Sequence, residues 1–174
     1  DIGDQQRTLQ DSQGYVGFIL DSIGKSRLEA FVQPGNHETL LAFGPVLDYF
    51  ADQYSNIVDV TKNQKVEQDG HSLVFLPGSD FLCGGEYQIG NHDQLPSGRY
   101  IKTDKGLMQF EEFEKYVEAL QQGLAQGAMQ YANMGDLRSL VTDPSKTIVV
   151  CHVPRKFDNL ETSVDIAEFG EASE

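Results

Sequence analysis

The chain has 174 residues, of which 13 are lysine or arginine and 27 are aspartate or glutamate, so its formal net charge at pH 7 is −14. A surface this acidic repels phosphate backbones and anionic lipid headgroups, and we therefore expect neither nucleic acid nor a membrane surface as a partner. With 39% hydrophobic residues and 10 phenylalanines, the composition is typical of a globular domain rather than a disordered chain.

Cysteine usage and hydropathy favour an ordinary reduced, cytoplasmic protein. Cys83 and Cys151 are too few for a disulfide framework, and their spacing is not that of metal ligands. No apolar run approaches the roughly 18 residues of a membrane span. We therefore expect a cytoplasmic location and free thiols.

The first third of the chain predicts a helix, a strand and a second helix. Apolar residues at helical spacing predict an amphipathic helix over residues 12–23, which Gly24 would end. The short apolar run Ala30–Val32 predicts a buried strand that leads into a turn. A second helix is predicted over residues 45–53, with Pro45 in its first turn.

The middle of the chain changes from strands to a glycine-rich stretch and then to a long helix. Residues 57–60 and 73–76 predict two strands, with a turn at residues 68–70 between them. Residues 77–106 hold six glycines and show no clean period, which predicts a loop or insertion that acts as a lid. Apolar residues three or four apart predict one helix over residues 108–131.

The last part of the chain predicts a buried strand at residues 147–151, directly before His152. Beyond it, residues 158–174 carry acids at helical spacing, which we interpret as a solvated helix face. Strands that alternate with helices indicate an α/β protein.

Polar residues of metal-ligand type follow the predicted strands. Gly35-Asn36-His37-Glu38 comes directly after the strand at Ala30–Val32, and His152 follows the strand at residues 147–151. Functional side chains of open α/β sheets gather at the carboxyl ends of strands, and Asn and His suit a divalent metal or a phosphate. The alternative is a polar turn that caps the following helix.

These segments resemble motifs of the calcineurin-like metallophosphoesterases. Asp1-Ile2-Gly3-Asp4, with a glycine presumed before Asp1, resembles the family's Gly-Asp-x-x-Asp motif. Gly35-Asn36-His37-Glu38 resembles its Gly-Asn-His-Asp/Glu motif, and the segment 150–154 around His152 resembles its later strand-end histidine. The three occur in the family's order.

The resemblance implies a dinuclear centre of Mn, Fe or Zn ions that hydrolyses a phosphate mono- or diester in a small molecule or a phosphoprotein. Asp1 would bridge the two metals, and Asn36 and His152 would be ligands of the second metal. His37 would contact the phosphoryl oxygen or protonate the leaving group. A two-metal site activates a hydroxide for in-line attack and neutralises charge on the phosphoryl oxygens.

Two family motifs, Asp-x-His before the first match and Gly-His-x-His after the last, have no counterpart in the chain. We therefore expect residues 1–174 to form a single truncated domain that is inactive by itself. The resemblance implies a two-sheet sandwich flanked by helices (α/β/β/α), here without its first strand and its C-terminal strands. Strand edges exposed in this way would favour pairing or strand exchange between copies.

Four residues have an interpretation beside or instead of a role in the site. His92, in a second Gly-Asn-His-acid tetrapeptide, belongs to a lid or contacts the substrate; Arg155 contacts an anionic substrate group or is simply exposed with its neighbour Lys156. His71 is expected to be a solvated turn histidine, and the alternative for Asp1 is a solvated N-terminus.

Two other functional classes compete with a phosphoesterase. One is a non-catalytic binding or scaffold protein that keeps the phosphoesterase fold without the metals. The other is a nuclease of the same superfamily, which the charge of −14 disfavours.

Overall fold

A computed structural model of the chain describes residues 2–80, 85–91 and 94–152. Within these ranges the helices are α1 (Ile2–Ser26), α2 (Leu40–Gln53), α3 (Phe113–Gln121) and α4 (Met134–Ser139), with a 3-10 turn at Pro144–Lys146. The strands are β1 (Ala30–Val32), β2 (Ile57–Asp59), β3 (Lys65–Gln68), β4 (His71–Leu76), β5 (Ser79–Asp80), β6 (Tyr87–Gly90), β7 (Gly98–Thr103), β8 (Gly106–Phe110), β9 (Gly127–Asn133) and β10 (Thr147–Cys151). The prediction of a mixed α/β protein is confirmed.

The described strands form sheets of two, three and five strands. β1 and β2 pair in parallel, and β4 lies between β10, which is parallel to it, and β3, which is antiparallel. The larger sheet has the order β5-β6-β9-β7-β8, with parallel pairs on the β5 side and antiparallel pairs on the β8 side. The two-sheet sandwich implied by the resemblance stays a prediction.

One face of the five-stranded sheet packs against both main hydrophobic clusters. The larger cluster joins this face to α1, α2 and α3 through residues such as Leu47, Ile101 and Ala119. The smaller cluster joins it to β4 and α4 through Val74, Ile89, Leu137 and their neighbours. The helices therefore cover one part of this face, and the three-stranded sheet covers another.

The first predicted helix is confirmed and is longer than expected: it begins at Ile2 rather than at residue 12, and Gly24 lies inside it rather than after it. The Tyr54 ring packs directly on Gly24, and its hydroxyl donates a hydrogen bond of 2.7 Å to Asp21 Oδ1. This glycine therefore provides close packing between α1 and the end of α2.

The second predicted helix also begins earlier than expected, at Leu40, where Thr39 caps it by accepting a hydrogen bond from the Ala42 amide. Pro45 consequently lies inside the helix instead of in its first turn. Proline cannot donate to the Leu41 carbonyl one turn before it. The Gln13 side chain of α1 donates to that carbonyl instead, at 2.7 Å, which satisfies the acceptor.

The predicted strands and turn before residue 77 are confirmed in position, but β1 is half-buried rather than buried. Asp69 and Gly70 both have positive φ, 50° and 78°, as the tight turn of a two-residue hairpin requires. β3 was not predicted, because Lys65–Gln68 has little apolar character. His71 is exposed, as expected, and is the first residue of β4 rather than part of the turn.

The predictions for residues 77–131 are wrong. The expected loop at residues 77–106 contains β5, β6, β7 and the start of β8, and the expected helix at residues 108–131 is a strand, a helix and a strand. Gly123 and Gly127 have φ of 69° and 155°, which end the helical conformation. Of the apolar residues on which the helix prediction rested, Phe110, Phe113 and Ala128 reach one core cluster. Val117, Leu120 and Leu124 are exposed, so the helical spacing did not mark a single buried face.

The predicted position of β10 is confirmed, but the prediction that this strand is buried is wrong. Ile148 and Val149 are 51% and 50% exposed, because β10 has β4 as its only described neighbour.

The predicted acidic helix at residues 158–174 lies outside the described residues. Within the described part of the chain, no helix combines the length and apolar character needed to cross a membrane.

The contrast between two glycines of α1 gives a stability test. We expect Gly24→Ala to lower the free energy of unfolding by about 1–3 kcal/mol, because the added methyl group would overlap the Tyr54 ring. Gly14→Ala is the control, since no atom lies within 4 Å of the position of its added methyl group. It should raise stability by about 0.5–1 kcal/mol through helix propensity alone. Urea unfolding measures both, and equal effects would contradict this packing.

Candidate functional site

The carboxyl ends of β1, β4 and β10 meet at one place. The Gly78 amide, just after β4, donates a hydrogen bond of 2.8 Å to the Pro34 carbonyl, just after β1. β10 pairs with β4 up to Cys151↔Leu76, so His152 leaves β10 at the same level. The ends of β1 and β10, which the sequence analysis expects to carry site residues, therefore lie close together, and their function stays a prediction.

Two of the predicted ligand residues are in direct contact. His152 Nε2 lies 2.9 Å from Asn36 Oδ1, although 116 positions separate them in the chain. Gly35 makes this approach feasible, because a Cβ at that position would lie 2.6 Å from the imidazole ring. Any larger residue would push His152 away from Asn36.

The loop that carries Asn36 is fixed by backbone contacts. Glu38 Oε2 accepts a hydrogen bond of 2.6 Å from the Gly35 amide and closes the turn. Gly85, with φ of 96°, approaches so closely that a Cβ there would lie 2.6 Å from the Asn36 carbonyl oxygen. The Asn36 side chain is therefore presented by a constrained backbone.

His37 is exposed and lies apart from the contact between Asn36 and His152. It lines an open groove between α1 and the start of α2, together with Asp11, Tyr15 and Phe43. Within the described residues, His37 forms no hydrogen bond with Asn36 or His152. Its chemical role stays a prediction.

Two acidic residues near these strand ends were missed by sequence reasoning. Glu86 Oε2 accepts a hydrogen bond of 2.6 Å from the Leu40 amide at the start of α2, and burial raises the pKa of its carboxyl group. Asp59, 6% exposed at the end of β2, accepts hydrogen bonds from the amide and hydroxyl of Thr61. The position of Asp59 at the end of a predicted strand could have identified it from the sequence. No sequence pattern marks Glu86.

Gln33, immediately before Pro34, carries a buried polar atom. Its Oε1 is inaccessible to solvent and has no hydrogen-bond partner among the residues that the structure describes. Such an acceptor loses its hydration on folding without a replacement, which costs about 1–3 kcal/mol. The unpaired Gln33 oxygen therefore reduces the stability that this segment gains from burial.

The remaining predicted site residues, Asp1, His92 and Arg155, lie outside the described residues. Within the described ranges, no three side chains of His, Cys, Asp or Glu come together as a metal-binding group. The described donors for a metal are therefore an amide oxygen and an imidazole nitrogen, from Asn36 and His152.

No family model, no curated protein and no solved structure matches this chain. By its fold, the chain is a mixed α/β protein with several sheets. By the described part of its site, it places an amide and an imidazole in contact at the ends of β1 and β10.

Glu86 predicts a pH dependence of stability. Its pKa in the folded protein is above the ordinary value of 4.5, so the folded state holds this proton more tightly than the unfolded state. Its contribution to stability is therefore present below pH 4.5 and is lost as the pH rises through the folded pKa. Glu86→Gln, which keeps an acceptor for Leu40, should gain stability relative to the natural protein as pH rises from 4 to 7. Urea unfolding across that range measures the difference, and a constant difference would contradict it.

Gln33 gives a second stability prediction. Gln33→Met replaces the unpaired buried oxygen with an apolar group of similar length, and we expect the free energy of unfolding to rise by about 1 kcal/mol. The control is Gln53→Met at the exposed end of α2, which should change stability by less than about 0.5 kcal/mol. A loss of stability in Gln33→Met would mean that the oxygen has a partner in solution.

Proposed function

We propose that this chain forms part of a metal-dependent phosphoesterase that hydrolyses a phosphate mono- or diester at a dinuclear centre. The observation that carries the proposal is the 2.9 Å contact between Asn36 Oδ1 and His152 Nε2. The resemblance implies that both residues are ligands of the same metal, and both follow strands whose ends meet.

The distance between the two donor atoms suits a shared cation. Ligand bonds of about 2.0–2.2 Å at a right angle place two donor atoms about 3 Å apart. Amide oxygen and imidazole nitrogen are both ligands of first-row divalent metals, which supports Mn, Fe or Zn. Asp1 is proposed as the carboxylate that bridges the two metals.

Each residue then has a defined task. Asn36 and His152 would hold the cation, and Gly35 and Glu38 fix the loop that presents Asn36. When bound, the metals would supply positive charge to the phosphoryl oxygens and a nucleophile from water at neutral pH. His37 is proposed to protonate the leaving group or to donate a hydrogen bond to a phosphoryl oxygen.

The substrate is proposed to be a small phosphorylated compound or a phosphoprotein, with His92 and Arg155 as further contacts. With a charge of −14, the chain has no electrostatic preference for a nucleic-acid backbone. The two-sheet sandwich flanked by helices is the proposed arrangement of the complete domain. Its support is the parallel pairing of β1 with β2 and of β10 with β4.

One observation favours a second candidate, a binding protein that keeps the fold without the metals. His152 and Asn36 can satisfy each other by a direct hydrogen bond, because a neutral imidazole donates from Nε2 to an amide oxygen. In that case the contact would stabilise the ends of β1 and β10 and would need no cation.

Metal titration and phosphatase assays of the natural gene product that contains this chain distinguish the two candidates. We expect hydrolysis of p-nitrophenyl phosphate or its bis ester with Mn²⁺ and none with chelator. Asn36→Ala and His152→Ala should each weaken Mn²⁺ binding at least about 10-fold. His37→Ala should lower kcat by about 10²–10⁴-fold and leave Mn²⁺ binding unchanged.

His71→Ala is the matched control, since His71 is an exposed histidine on β4 and should leave both measurements unchanged. Activity that survives chelation, or that survives Asn36→Ala and His37→Ala undiminished, would exclude the phosphoesterase. Absence of Mn²⁺ binding by a folded protein would favour the binding protein.

A further inference from the structure

We propose that a cleft on the five-stranded sheet binds a small oxyanion, a phosphate or a carboxylate. Tyr87, Gln130 and Arg99 form its floor as one row across β6, β9 and β7, since Gln130 is the register partner of both other residues. The loop after β2, with Lys62, contributes a wall. The cleft has a volume of about 270 Å³, which is below the roughly 300–1,000 Å³ of drug-sized ligand sites and suits a small ion or headgroup.

Arg99 enters this cleft as a half-buried cation without a carboxylate partner among the described residues. Its Nε donates 3.0 Å to Gln130 Oε1, its Nη1 donates 3.0 Å to the Glu111 carbonyl, and its guanidinium lies 4.4 Å from the centre of the Phe113 ring. All three contacts are with neutral groups. Because a guanidinium has five N–H donors, three are left for a ligand. A fixed, uncompensated guanidinium is suited to bidentate recognition of an oxyanion.

Tyr87 adds an independent sign of a ligand. It is 2% exposed and lines the cleft, and its hydroxyl has no hydrogen-bond partner within the described residues. Its ring packs edge-on against Phe43 in the core, at 6.0 Å between ring centres, which fixes its orientation. Buried tyrosine hydroxyls usually have a partner. The Tyr87 hydroxyl oxygen is open to the cleft, where an oxyanion would be its acceptor.

The protonation state of Tyr87 suits this task. Burial raises the pKa of its hydroxyl, and the nearby Arg99 charge only partly opposes that shift, since the charges of Asp59, Glu86 and Asp48 also raise it. The group therefore stays a hydrogen-bond donor over the whole physiological range.

Lys62 does not compete for the role of Arg99. Its Nζ lies 2.7 Å from Asp48 Oδ1 and 3.9 Å from Asp59 Oδ2, so two carboxylates already compensate its charge. These pairs sit at the loop wall of the cleft and hold that wall in place. The uncompensated positive charge lies on the sheet floor, at Arg99, and the ligand is expected there.

Isothermal titration of the protein in chelator, with inorganic phosphate in one arm and succinate in the other, tests the site without any contribution from metal. We expect saturable binding of at least one anion. Tyr87→Phe should weaken it about 10-fold or more, as the loss of a hydrogen bond to a charged group predicts, and Arg99→Met should abolish it. Binding of phosphate alone would assign a phosphate group, and binding of succinate alone a carboxylate.

Two controls match these variants. Tyr116→Phe also removes a buried hydroxyl but lies in the core away from the cleft, and Arg138→Met removes an exposed guanidinium from α4. Both should bind the anion as the natural protein does. If neither anion binds, or if Tyr87→Phe and Arg99→Met bind it unchanged, the proposal is wrong. Because metal is excluded, this result is independent of the phosphoesterase assay.

Discussion

The contact between Asn36 and His152, the centre of the candidate site, depends on how closely the chain passes from β1 to the ends of β4 and β10. Gly35 has to lie against the His152 ring, and the Pro34 carbonyl has to accept the Gly78 amide, for Asn36 to reach His152. No other residue type leaves room for the imidazole at position 35. A contact across 116 positions is thereby determined by one glycine and one parallel strand pair.

Local sequence signals predicted that Asn36 and His152 follow strands better than they predicted the fold of residues 77–131. Asn36 and His152 were found because each follows a short apolar run, and strand ends in α/β proteins collect functional groups. The segment 108–131 was misread because strand, helix and strand all place apolar residues into one core, while Gly123 and Gly127 interrupt the backbone. Glu86 could not be found, since its function as a cap for Leu40 exists only in the folded chain.

The acidic composition constrains how the two proposed sites can bind an anionic ligand. With a net charge of −14, an anionic ligand needs a local source of positive charge. At the strand ends that source would be a cation held by Asn36 and His152. On the five-stranded sheet it is Arg99, which is held by neutral partners and so keeps its charge. The same protein would therefore bind anions in two physically different ways.

The central claim is that Asn36 and His152 are ligands of one cation rather than partners of each other. A crystal structure of the natural gene product grown with Mn²⁺, with anomalous scattering recorded at a wavelength where manganese scatters strongly, tests it directly. We predict an anomalous peak at bonding distance from both Asn36 Oδ1 and His152 Nε2. A fully occupied hydrogen bond between these two atoms, with no peak beside them at saturating Mn²⁺, would contradict the claim.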